Sequence, residues 1–136
     1  DQFTYASILI KDKKIKEKKL LLEDILSKEH KFYSPLALNL LIDNKLETNQ
    51  KIILNYFDQM INIKSINSEN LNLIRIKKAL YLFKDTDEEL IITTLNPIIN
   101  SNSVWRDSAI KLIADYFSSK NEKNKADEYY KLLNKN

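Results

Sequence analysis

The 136 residues are 43% apolar and 30% charged, with 22 basic against 19 acidic side chains for a net charge of +3, and they include no glycine, no cysteine and two prolines. A chain of this length buries a real core in one compact unit, which argues against disorder and against a multidomain enzyme. Without glycine there is no phosphate-cradling loop, dinucleotide fingerprint, nucleophile elbow or EF-hand loop; without cysteine there is no zinc ribbon, redox CxxC pair or disulfide framework.

Apolar residues recur at helical spacing almost throughout, and no sustained alternation marks a strand. The expected fold is all-α, one domain over residues 1–136 with eight helices in four hairpins, at about 2–28, 34–62, 68–99 and 104–134. The first hairpin pairs residues 2–11 with 14–28. Ser34 before Pro35 reads as an N-cap with proline at the first helical position, opening a helix to about Asn44. A second helix runs from about Thr48 to Asn62. In the third hairpin residues 68–84 precede Thr86-Asp87-Glu88-Glu89, a capping box with acidic side chains at the positive helix end. The helix that this box opens is expected to run to about Leu95 or Ile99, with Pro97 marking its frayed or kinked end. Residues 100–103 form a polar turn, and the fourth hairpin pairs Val104–Ser119 with Glu122–Asn134.

The hairpins repeat. Ala114, Phe117, Ala126, Tyr130 and Leu133 are separated by 3, 9, 4 and 3 residues. The same intervals select Ala79, Leu82, Ile91, Leu95 and Ile98; Ala6, Leu9, Lys18, Leu22 and Ile25; and a degenerate set of Leu41, Asn44, Ile53, Phe57 and Met60. The leading members, at 6, 41, 79 and 114, are spaced 35, 38 and 35 residues. That is the pattern of the tetratricopeptide repeat, a helix pair of about 34 residues with small side chains where its helices cross closely. Lys18 and Asn44 depart from it, and its consensus glycine is missing. The expected architecture is a right-handed α-solenoid of about four such hairpins.

Little in the chain suggests catalysis or a cofactor. His30 is the one histidine, in an expected inter-repeat loop, without the further ligands a metal would need. The carboxylate groups Glu23-Asp24, Asp87-Glu88-Glu89 and Asp127-Glu128 are sequence neighbours on exposed helix faces, not opposed across a cleft. No serine has a histidine placed to activate it. Trp105 and the tyrosines read as packing residues rather than platforms for bases. No enzyme, cofactor, metal or small-molecule substrate is expected.

In an array of this type the first helix of each pair lines the concave side. The register puts Phe3, Ile10, Leu38, Ile42, Leu73, Ile76, Leu80 and Phe83 on that wall, followed by Lys111 and Asp115. A helix as widely apolar as residues 68–84 is either central in the stack or covers a partner. The function expected is capture of an apolar protein segment in this groove; the competing outcome is that the same side chains pack on one another. The alternative reading is a basic adaptor, using the lysines of the 11–19 run against nucleic acid or an anionic membrane. The near-even charge balance and the presence of only two arginines, Arg75 and Arg106, weigh against nucleic acid.

Leu95-Asn96-Pro97-Ile98-Ile99, Val104-Trp105-Arg106-Asp107-Ser108-Ala109 and Lys125-Ala126-Asp127-Glu128-Tyr129-Tyr130 resemble the C-terminal part of the bacterial tetratricopeptide-like domain of membrane-anchored proteins. That family includes the ancillary subunit of the SecYEG translocon. Ala6-Ser7-Ile8-Leu9-Ile10, with the lysine-rich stretch after it, is similar to the opening of that domain. The resemblance implies an all-helical domain at the periplasmic face of the inner membrane, held by an upstream transmembrane helix and acting through protein contacts near the translocon. It implies no catalytic residues; without the anchor a cytoplasmic location is the alternative.

Overall fold

Every regular element among the described residues is an α-helix. The computed structural model describes residues 2–84 and 87–133, with Phe3 given by its backbone alone. Among the described residues there are seven helices where eight were expected, in two compact units, Asp1–Ser65 and Ile66–Asn136.

The first unit holds α1 (Gln2–Ser27), α2 (Tyr33–Asp43) and α3 (Gln50–Ile61). The expected first hairpin is a single helix of 26 residues. Nothing in Lys11-Asp12-Lys13-Lys14 stops a helix: there is no proline, and lysine is a good helix former. The stop comes at Glu29, whose φ of 50° is left-handed, with its N–H returning to the Leu26 carbonyl. Only the C-terminal half of α1 is packed, through Leu22 and Leu26, one turn apart, on the side that meets α2. With Ala37, Leu38, Leu41, Ile53, Phe57 and Met60 they form a dry core. Each large side chain so buried contributes about 1.5–3 kcal/mol.

The entry to α2 differs from the expected cap. The helix starts at Tyr33, one residue before Ser34, and Ser34 is fully buried. Its hydroxyl donates to the Ile25 carbonyl at 2.8 Å, beside the Lys28 N–H that the same carbonyl accepts at the end of α1, and accepts from the His30 N–H at 2.8 Å. The cap falls to His30, whose Nδ1 accepts from the N–H groups of Phe32 and Tyr33. Asn49 caps α3, taking the Ile52 N–H on its side-chain oxygen. Glu47 accepts from the N–H groups of Thr48 and Asn49 and pairs with Lys19 at 3.4 Å. The Asn49 N–H, with Lys19 adding to it, holds the Glu47 carboxyl below its ordinary range.

The second unit holds α4 (Ser68–Leu82), α5 (Glu88–Ile99), α6 (Arg106–Ser119) and α7 (Lys123–Leu132), each packed on the next. Asn67 caps α4 and Asp87 caps α5. Thr86, the expected cap residue, lies outside the described residues, as does Asn134 at the expected end of α7. α5 ends at Ile99, the later of its two expected ends, with Pro97 inside its last turn. Arg106 Nε donates to the Ile99 carbonyl at 2.9 Å and covers the exposed helix end. The register of the third hairpin selects side chains that are all dry: Ala79, Leu82, Ile91, Leu95 and Ile98. In the fourth, Ala114, Phe117 and Ala126 are buried, while Tyr130 and Leu133 are half-buried.

In α1 the register holds only near the C-terminal end, where Leu22 is buried and Ile25 half-buried. Ala6, expected at a close helix crossing like Ala79 and Ala114, is exposed because the straight helix gives it nothing to cross. Asn44 is exposed because it closes α2, its side-chain amide donating to the Leu40 carbonyl at 2.9 Å.

Candidate functional site

The expected wall residues separate into three groups. Leu38 and Ile76, 2% and 8% exposed, belong to the cores of their own units and cannot meet an incoming segment as the register proposed. Ile42, Leu73 and Phe83 are half-buried. Ile10, Leu80, Lys111 and Asp115 are exposed, and the side chain of Phe3 lies outside the described residues.

Within the second unit, Leu73, Ile76 and Leu80 are spaced 3 and 4 residues apart on one face of α4. Leu80 is 54% exposed there, a large apolar side chain left in water beside half-buried neighbours. Phe83 meets Tyr116 of α6 edge-on, with ring centroids 5.8 Å apart, so it is anchored rather than free. On α6, Asp115 accepts a hydrogen bond from the Tyr130 hydroxyl. That bond raises the tyrosine's pKa above its ordinary value, since ionisation would lose it.

The sequence reading missed a stripe in the first unit. Phe32, Tyr33, Leu36 and Leu40 are exposed along α2, spaced 3 to 4 residues apart from Tyr33 onward. His30 packs on Tyr33 with centroids 4.6 Å apart, and the Lys31 ammonium sits 5.1 Å from the centroid of the Phe32 ring. The signal was present: α2 carries two apolar stripes, of which Ala37, Leu38 and Leu41 take the core and the other is left outward.

The lysine run stands on the unpacked half of α1. Lys11, Lys13, Lys14, Lys16 and Lys18 are exposed, and at about 100° per residue they surround the helix instead of forming one face. Apolar Ile8, Leu9, Ile10 and Ile15 are exposed among and before them. No described helix is long and apolar enough to cross a membrane.

A cleft of about 460 Å³ lies between α5 and α7, lined by Ile92, Phe117 and Leu132. Lys125 reaches into it, with Nζ 3.1 Å from Glu88 and 3.8 Å from Glu122. The hydrogen bond to Glu88 and the charge of Glu122 raise the Lys125 pKa.

Glu23 accepts from the Tyr56 hydroxyl, Asp24 pairs with Lys28, and Trp105 is half-buried at the start of α6. Among the described residues no group of three His, Asp or Glu side chains is arranged to hold a metal ion. No family model, curated protein sequence or solved structure matches this chain.

Proposed function

We propose that this chain is a non-enzymatic protein-interaction scaffold, built as a right-handed array of tetratricopeptide-type hairpins, whose α4 face receives an apolar protein segment. The observation that carries this reading is the exposure of Leu80 in line with half-buried Leu73. Exposing such a side chain costs stability, and covering it with a partner recovers that cost. The buried register of the third hairpin supports the repeat architecture. The resemblance around Trp105-Arg106 and Tyr129-Tyr130 supports a location at the periplasmic face of the inner membrane, near the Sec translocon, with a transmembrane anchor outside these residues. The test is capture of partners by the wild-type domain and by Leu80→Asp. Loss of the wild-type partners on charging this position is expected; an unchanged set of partners overturns the groove.

A second reading is favoured by the exposure of Lys11, Lys13, Lys14, Lys16 and Lys18 on every side of α1, which suits an anionic surface. It requires binding to acidic vesicles or generic RNA that weakens steeply with salt, and salt-independent or absent binding eliminates it.

A further inference from the structure

We propose that the cleft between α5 and α7 receives a basic side chain, arginine in preference to lysine, carried on an apolar peptide segment. The site is separate from the α4 face and does not depend on the reading above.

The cleft already shows which chemistry it accepts. The Lys125 ammonium is held by the Glu88 carboxylate at 3.1 Å and lies 5.3 Å from the centroid of the Phe117 ring. Tyr129 stacks on that same ring, with planes 7° apart and centroids 5.6 Å apart. A carboxylate beside aromatic faces is the environment that binds a desolvated cation. Lys125 does not satisfy the site. Its one positive charge faces the Glu88 and Glu128 carboxylates of the lining, with Glu122 just outside it at 3.8 Å from Nζ, so negative charge is in excess around the cleft, in a chain whose overall charge is +3. Glu122 Oε2 is buried without a hydrogen-bond partner, and Glu128 makes no ion pair among the described residues. The Tyr129 hydroxyl is raised in pKa by burial first and then by the charges of Glu128 and Glu88, against the opposing charge of Lys125.

The occupant follows from what the walls can satisfy. An anion would meet the surplus carboxylates and be repelled. A neutral apolar group would cover Ile92 and Leu132 but bury carboxylate beside it without compensation. Guanidinium is planar, weakly hydrated and forked, so it can stack on the exposed side of the Phe117–Tyr129 pair while bonding Glu128 in two places. The cleft is open: Lys125 and Glu88 are 53% and 38% exposed at its mouth. A free small amine would be poorly enclosed there, whereas a side chain arriving on a polypeptide brings apolar neighbours to lie on Ile92 and Leu132.

The test titrates the protein with a fluorescein-labelled Leu-Arg-Leu-Leu-Arg-Leu peptide and with its analogue carrying citrulline for arginine, following the Tyr129 ring resonances. The arginine peptide is expected to bind about tenfold more tightly than the citrulline peptide and to shift the Tyr129 signals. Glu128→Gln, on an exposed side chain that folding does not need, should weaken the arginine peptide about fivefold, and Lys125→Met should strengthen it by a similar factor. Leu80→Asp should leave it unchanged, which separates this site from the α4 face. Equal affinity for the two peptides overturns the proposal, as does binding that Glu128→Gln leaves untouched. Arginine amide binding as tightly as the peptide also overturns it, by showing a small-molecule site.

Discussion

Glu69, in the first turn of α4, accepts a 2.7 Å hydrogen bond from the Val104 N–H, 35 residues further along the chain, and a second at 3.2 Å from the Ser103 hydroxyl. One carboxylate thus fixes the loop that launches α6 to the start of α4. The Val104 N–H, with Ser103 and Asn72 assisting, holds the Glu69 pKa below its ordinary 4.5. A carboxyl whose folded pKa is depressed stabilises the fold above its unfolded pKa, and loses that contribution as the pH falls through the folded value. Glu69→Gln should therefore lower the melting temperature at pH 7, and its difference from wild type should vanish in acid, below the folded pKa. Thermal melts from pH 7 to pH 3 check this; a difference constant across that range refutes it.

Ser34 joins two helix ends through one buried hydroxyl. Ser34→Ala removes a donor from the Ile25 carbonyl and an acceptor from the His30 N–H at a fully buried position. The expected loss is about 1–3 kcal/mol in urea denaturation. A change within a few tenths of a kcal/mol would show that the two backbone groups find other partners.

The buried alanines separate the packed hairpins from the unpacked limb. Ala114 is fully buried, so Ala114→Leu should overpack and destabilise by about 1–3 kcal/mol. Ala6 is exposed, so Ala6→Leu should change stability by no more than about 0.5 kcal/mol in either direction. Equal effects at the two positions would mean that Ala6 is covered in solution.

The N-terminal half of α1 has no packing to stabilise it, and a short isolated helix is marginal in water. Lys13→Pro should unwind the turns before it and reduce the ellipticity at 222 nm, while leaving the cooperative melt of the remaining helices in place. Amide exchange over residues 4–18 should be fast in the unmodified chain. A large fall in melting temperature on introducing this proline would show that the limb is part of the cooperative core.

Helix starts were legible to within a residue or two, because side chains write them: the box Thr86-Asp87-Glu88-Glu89 marks the entry to α5, where the Asp87 side-chain oxygen takes the Leu90 N–H at 3.1 Å. The interval pattern found the dry residues of the third hairpin because small and large side chains alternate there with the geometry of a close crossing. Helix ends were harder. A chain without glycine gives no C-cap signal, and the breaks fall at Glu29, Lys45 and Asn121, left-handed residues of types that mostly sit inside helices or turns. Lys11-Asp12-Lys13-Lys14 has the polarity of a loop without a residue that stops a helix, so two expected helices became one. The α5–α7 cleft escaped the sequence reading because its carboxylates come from two helices, and only the fold sets Glu88 beside Lys125.

The left-handed residues also bear on how firmly the molecule stands. A side chain with a Cβ in that conformation carries a penalty of about 1–2 kcal/mol, which glycine would relieve in part. Glu29 has a compensating bond from Gln59, and asparagine tolerates the geometry, so Lys45, with φ of 54°, is where the strain is least offset. The exit from α2 is thus a built-in weak point, and a single Lys45→Gly exchange is the shortest path to a hardier version of the same scaffold, with every surface discussed above left intact.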